Sequence, residues 1–170
     1  WSVDIVRADS YDLSVEAGEN YIDQVELSVS GNELILDVDG PFRFNRNLKA
    51  IIELPDLSRI HVEGSADIDL RGFELTDLEI VNDGAANIEA EDLVVENLML
   101  TVEGAANVSL RDAQITNAEL ALEGAVNVEL TMAGGTLTGS MEGIGNVEYF
   151  GEVSEQRVSV EGLGSVERGD

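Results

Sequence analysis

The chain has 170 residues, 9 of them basic and 35 acidic, giving a formal net charge of −26 and a pI near 4.1, and it contains no cysteine. That length suits one domain with a core of its own, and a hydrophobic content of 44% argues against disorder. So negative a field repels nucleic acid and anionic lipid, the lack of thiols excludes disulfides and thiolate chemistry, and no apolar run approaches the roughly 20 residues of a membrane span.

The chain begins at Trp1 rather than Met, so a processed or trimmed form is expected, with any signal peptide already removed. Residues 1–60 read as short alternating strands that flank or cap the repeats of residues 61–170. The spacing predicts strands at Ser2–Ala8 and Asp12–Glu16, then at Val25–Val29 and Glu33–Val38 around the hairpin turn Ser30-Gly31-Asn32. Val25, Leu27 and Val29 alternate with polar neighbours, as do Leu34, Leu36 and Val38, the pattern of half-buried strands. Leu48–Leu54 comes next, stopped by Pro55. Phe42-Arg43-Phe44-Asn45-Arg46-Asn47-Leu48-Lys49 is the one basic, aromatic stretch. It reads as a strand and turn with its Phe side chains under the first coil, or else as a docking patch for an anionic glycan or a protein.

Residues 61–170 carry a repeat. Six times an acid, a glycine, two small or apolar residues, a polar residue and Ile or Val recur, from EGSADI at Glu63 to EGLGSV at Glu161. The glycines Gly64, Gly84, Gly104, Gly124, Gly143 and Gly162 stand 20, 20, 20, 19 and 19 residues apart. A period of this size signals a solenoid. Counting from each glycine as zero, apolar columns form at +4 (Ile68, Ile88, Val108, Val128, Val147, Val166), +6, +11, +14 and +16. Spacings of two within a repeat and of 19–20 between repeats predict an all-β fold, a single-stranded right-handed parallel β-helix of about six coils. A leucine-rich repeat is the rival, since Leu75-x-x-Leu78-x-Ile80 imitates its core, but the second alternating strand and the lack of a helical pattern speak against it.

With its turn glycines followed by a small residue, Asn or Asp, and Val or Ile, the chain resembles the bacterial head-GIN-domain family of auto-transporter adhesins. The family's usual motif is close to Gly-Ser-Gly-Asp. Gly143-Ile-Gly-Asn and Gly162-Leu-Gly-Ser keep the second glycine, whereas Gly64-Ser-Ala-Asp, Gly84-Ala-Ala-Asn, Gly104-Ala-Ala-Asn and Gly124-Ala-Val-Asn do not. The resemblance implies a right-handed β-helix and a secreted or cell-envelope location (periplasm or outer membrane) in a bacterium. It supplies no catalytic residues.

The glycine is expected at a corner with φ > 0, and Ala85-Ala86 and Ala105-Ala106 at a corner too tight for larger groups. Position +3 (Asp67, Asn87, Asn107, Asn127, Asn146, Ser165) predicts a stacked amide ladder, which would leave the Asn107-Val108-Ser109 sequon unmodified. Position −1 stacks Glu63, Asp83, Glu103, Glu123, Glu142 and Glu161 in one column, and +5 holds Asp69, Glu89, Ser109, Glu129, Glu148 and Glu167. Like charges about 5 Å apart repel by roughly 0.8 kcal/mol even in water. The −1 column is therefore either a solvated edge screened by salt or a set of Ca²⁺ sites. At +7, Arg71, Glu91 and Arg111 alternate in sign and are expected to pair in sequence.

Catalysis has little footing. His61 is the only histidine, nothing brings it a nucleophile and an orienting acid, and one histidine without cysteine speaks against zinc. Gly134–Gly139 reads as a loop or loosened coil. The residues point to a non-catalytic binding or adhesion module with an acidic surface, whose partner is a cell-surface glycan or protein. A homo-oligomer, or a loop, is expected to cover the last coil. The alternatives are a carbohydrate-active β-helix enzyme (polysaccharide lyase or glycoside hydrolase, with Asp67 and Asp69 or Glu89 and Glu91 as acids) and a purely structural spacer.

Overall fold

Parallel backbone ladders one coil apart organise the chain. The computed structural model describes residues 1–18, 22–38 and 48–170. Its strands are β1 (Ser2–Arg7), β2 (Asp12–Glu16), β3 (Val25–Ser30), β4 (Glu33–Val38), β5 (Lys49–Leu54), β6 (Arg59–Val62), β7 (Ser65–Arg71), β8 (Glu74–Asn82), β9 (Ala85–Ala133), β10 (Thr136–Glu152) and β11 (Glu155–Arg168). The one helical element among the described residues is a 3₁₀ turn at Ile22–Gln24. Among the described residues no helix is long and apolar enough to cross a membrane.

Strand β9 is 49 residues long because it runs through its corners and round more than two coils without leaving the ladder. Register obeys the repeat. Leu75 lies beside Val95, Leu78 beside Leu98 and Ile80 beside Leu100, and Val147 stands between Val128 and Val166. The result is a β-solenoid of about six turns, with antiparallel strands at its N-terminal side. The leucine-rich-repeat alternative fails because the segment opposite the first strand is itself a strand in the ladder.

Within one coil, burial alternates and is reset at the corners. Ala86, Ile88 and Ala90, then Leu93 and Val95, then Leu98, Leu100 and Val102 all face inward. Between these runs two or three consecutive residues face out, at 91–92, 96–97 and 103–105, giving three flat faces and three corners. The expected columns +4, +6, +11, +14 and +16 all lie inside, and +2, +9 and +18 join them. The +2 column corrects one expectation. Ala86 and Ala106 point into the core, and Val126 fills the same place at 1% exposure, so this part of the corner accepts larger groups. Asn82, fully buried at +18, bonds from its side-chain nitrogen to the carbonyls of Ala105 (3.3 Å) and Gly84 (3.4 Å).

What the corner does not accept is a Cβ at the repeat glycine. Gly104 has φ of +139°, and a Cβ there would lie 2.3 Å from the Gly84 carbonyl oxygen one coil below; at Gly124 the distance is 2.1 Å. Gly64 has φ of +114° but opens onto free space. Stacking, as well as dihedral freedom, therefore fixes the glycine column. The 19-residue coils arise where β9 ends: Gly134-Gly135 makes a short bend and Thr136 already rejoins the ladder, so the loosened stretch is briefer than Gly134–Gly139.

The N-terminal strands enter the same sheet. Its order is β11-β10-β9-β7-β1-β5-β2, so β1 lies parallel between β7 and β5, and β2 runs antiparallel along β5. The observed strands match the expected ones within a residue or so. Strands β3 and β4 form a separate hairpin whose Leu36 packs on the core. Residues Phe42–Asn47 of the basic, aromatic stretch lie outside the described residues. Lys49 is described, and its Nζ sits 2.9 Å from Asp4 Oδ2, tying β5 to β1. This hydrogen bond, with the lysine charge behind it, holds the Asp4 carboxyl below its ordinary value and raises the Lys49 ammonium above its own. At the far end β11 pairs only with β10, and among the described residues nothing covers its outer edge; Leu163 is 74% exposed and Ile144 61%.

Two measurements test these constraints. Gly64→Ala should cost about 1–3 kcal/mol for its dihedral strain, and Gly104→Ala clearly more, because it also meets a backbone carbonyl; equal losses in urea unfolding would remove the stacking argument. Lys49→Met should lower stability at neutral pH. Because the folded Asp4 pKa is depressed, its stabilisation exists above about pH 4 and fades as pH falls through the lower folded value. The wild-type and variant unfolding curves should therefore converge in strong acid.

Candidate functional site: asparagine ladders and acid columns

Coils in register turn each polar position into a column with a spacing of about 4.8 Å. At +3 the expected ladder forms from Asp67 to Asn127: Asn87 Nδ2 donates to Asp67 Oδ1 (2.6 Å), Asn107 to Asn87 (3.1 Å) and Asn127 to Asn107 (3.2 Å), and further up Ser165 Oγ donates to Asn146 Oδ1 (3.0 Å). A second ladder, on the next face, runs from Asp77 through Asn97 (3.0 Å) to Asn117 (3.1 Å), whose Oδ1 accepts from the Thr136 amide and hydroxyl. In both, every amide donates toward the N-terminal coil. The last acceptor is therefore a carboxylate, Asp67 or Asp77, which needs no donor of its own.

The second ladder is legible in the sequence, but counting only from the glycines misses it. Asp67-Ile-Asp-Leu, Asp77-Leu-Glu-Ile, Asn87-Ile-Glu-Ala, Asn97-Leu-Met-Leu, Asn107-Val-Ser-Leu, Asn117-Ala-Glu-Leu and Asn127-Val-Glu-Leu recur every ten residues. Each 20-residue coil thus contains the same strand twice.

Each ladder borders an open groove parallel to the solenoid axis. One, of about 480 Å³, has the +3 amides on one wall and Asp69, Glu89, Ser109 and Glu129 on the other. Its counterpart, of about 450 Å³, lies between Asp77, Asn97 and Asn117 and a mixed column of Glu79, Met99, Glu119 and Thr138. An amide inside a ladder, such as Asn87 or Asn107, uses one N–H and one oxygen lone pair along the column, leaving one of each for a ligand.

The −1 acids are exposed and stacked, with Glu142 in register between Glu123 and Glu161. Glu63 and Asp83 begin the column, and there His61 Nε2 lies 2.7 Å from Asp83 Oδ2. At +7, Arg71 meets Glu91 at 3.2 Å as expected, but Arg111 pairs with Glu129 (3.8 Å) instead of Glu91. Its guanidinium also lies 4.1 Å from the Phe150 ring centre, an aromatic face that redirects it. Of the acids available for hydrolysis, Asp67 is held by the ladder and Glu91 by Arg71.

Stacked coils, ladder-bordered grooves and acid columns define a β-solenoid whose polar features repeat along open faces. Residues 1–112 and 100–170 both match the family described as "Putative auto-transporter adhesin, head GIN domain", and the chain belongs to that family. Its fold is also that of three solved bacterial proteins. A protein from Bacteroides fragilis titled a putative adhesin aligns with a TM-score of 0.77 at 18% identity, covering 99% of this chain and 88% of its own. A Parabacteroides distasonis protein titled a putative lipid binding protein aligns at 0.54 and 19% identity, covering 99% and 89%. A Parabacteroides merdae putative adhesin aligns at 0.50 and 17%, covering 99% and 88%. No curated protein sequence matches the chain.

Asn107→Ala removes two ladder bonds and should cost about 1–2 kcal/mol, at the usual net value of roughly 1 kcal/mol per hydrogen bond. Asn127→Ala tests the same ladder one coil on. A loss under 0.3 kcal/mol (~RT/2) in both would mean that solvent replaces the ladder at no cost.

Proposed function

We propose that this chain is a non-catalytic binding module of a bacterial cell envelope or secreted protein, and that its grooves take an extended cell-surface glycan or a basic segment of a protein. The observation that carries this reading is the pairing of an amide ladder with an acid column along a groove. It repeats a hydrogen-bond donor and an acceptor about every 4.8 Å, with a negative charge at every coil of the opposite wall except at Ser109, which suits a long polymer better than a compact substrate. The family membership supports an adhesive role at the cell surface. The regularity of the columns favours binding over turnover, because a catalytic site needs a few groups with environments unlike their neighbours'. The −1 column adds a second element: Glu123, Glu142 and Glu161 stacked in register are suited to divalent cations such as Ca²⁺.

The test is binding of the purified chain to a panel of immobilised polysaccharides, including an amino-sugar polymer as cationic probe, over a salt series. Binding should weaken steeply with salt. It should fall at least about tenfold, ~1.4 kcal/mol, when Asp69, Glu89 and Glu129 are changed together to Asn, Gln and Gln. Retention of full affinity in that triple variant would take the groove out of the interaction. For the −1 column, Ca²⁺ should raise the melting temperature above that in NaCl of matched ionic strength, and equal shifts would reduce the column to a solvated edge.

A further inference from the structure

One coil differs from the others in chemistry. Strand β6 alternates Ile60 and Val62 inward, which leaves His61 and then Glu63 facing out. Its pairing with β8 sets Val62 beside Asn82, and Asp83 N donates to Val62 O at 2.9 Å, so Asp83 stands over Glu63. His61 Nε2 is 2.7 Å from Asp83 Oδ2 and 3.9 Å from Glu63 Oε1, and the three donor atoms lie within 4.8 Å of one another. In the next two coils the place of His61 is taken by Val81 and Thr101, so only here does an imidazole join the acid column.

From this geometry we infer that His61, Glu63 and Asp83 form a binding site for a transition-series divalent cation such as Zn²⁺, distinct from any Ca²⁺ along the acid column. The inference does not rest on the adhesive reading. The cluster has one nitrogen and two carboxylate donors and opens to solvent, so water can complete a tetrahedral shell. Donors to one such ion sit about 2.0–2.2 Å from it, and hence no more than about 4.2 Å apart. Glu63, 79% exposed, needs only a side-chain rotation to close that gap. With a neutral imidazole the cluster carries two negative charges. Among the described residues neither acid is within ion-pair range of a lysine or arginine; Arg59, the nearest base on the same strand, pairs with Glu79. The imidazole also sets the selectivity. Ca²⁺ and Mg²⁺ prefer all-oxygen shells, whereas imidazole nitrogen suits Zn²⁺, Cu²⁺ and Ni²⁺. Binding requires the Nε2 lone pair, so the ion replaces the His61–Asp83 hydrogen bond, and the ring proton either moves to Nδ1 or is released.

The experiment is calorimetric titration of the full chain with Zn²⁺, in chelator-free buffer with a large excess of Ca²⁺, followed by Cu²⁺ loading and electron paramagnetic resonance. The expected result is one Zn²⁺ per chain that Ca²⁺ does not displace, with the spectrum showing a single imidazole nitrogen on copper. His61→Asn should lower Zn²⁺ affinity at least about tenfold. Glu63→Gln should weaken it as well, while Glu123→Gln, in the same column three coils on, should leave it unchanged. All three variants keep outward-facing positions, and their melting curves in EDTA check the fold. Wild-type Zn²⁺ affinity in His61→Asn, or several weak sites equally open to Ca²⁺, would overturn the assignment and leave only a counter-ion cloud on an acidic column.

Discussion

Everything in this molecule depends on coils lying in register one strand-spacing apart. A parallel ladder has no preferred length of its own, and a slip of one residue would turn every inward side chain outward. The glycine corner prevents that slip. Where Gly104 crosses Gly84, the backbone carbonyl of one coil occupies the space in which the next would place its Cβ, so only a residue without a Cβ at that corner lets the two approach to ladder distance. Register is thereby pinned once per coil, and the apolar columns and polar ladders are its consequence.

The same register that builds the core imposes a cost on the surface. Stacking identical residues brings like charges close, and this chain stacks acids in more than one column. Part of that repulsion is relieved locally: Asp67 and Asp77 accept amides from the coil above, Arg71 bridges to Glu91, and Arg111 leans on Phe150 and Glu129. Among the described residues the −1 column meets no lysine or arginine in ion-pair range, and only His61 at its start stands against it. So arranged, the surface sets negative charge and amide ladders side by side at one period, the features on which the proposed binding role rests.

The two ends are not equivalent. On the N-terminal side the parallel stack is closed by β2, which runs antiparallel on β5, while β1 is threaded between β5 and β7 and pinned by Asp4 and Lys49. At the other end, among the described residues, β11 leaves its outer edge unpaired, with Leu163 exposed beside it. Reversing strand direction is an effective way to stop a parallel stack, because the antiparallel strand presents a different hydrogen-bond spacing to anything beyond it.

By itself the sequence determined the coil length, the inward columns at +4, +6, +11, +14 and +16, the +3 ladder from Asp67 to Asn127 and the family, since each is a period that survives without coordinates; the inward columns at +2, +9 and +18 came from the structure. The ten-residue half-repeat that carries the second ladder is present too, in Asp77, Asn97 and Asn117, but a count from glycine alone hides it. Only the tertiary structure decided what lies between periods. The threading of β1 joins residues more than 60 apart, as when Ser2 meets Asp67. The turn of Arg111 toward Phe150 depends on a neighbour two coils away. The meeting of His61 with Glu63 and Asp83 needs the alternation of one strand and the register of the next together. Local pattern fixes which way a side chain faces; which partner it then finds is set by the coil stacked upon it.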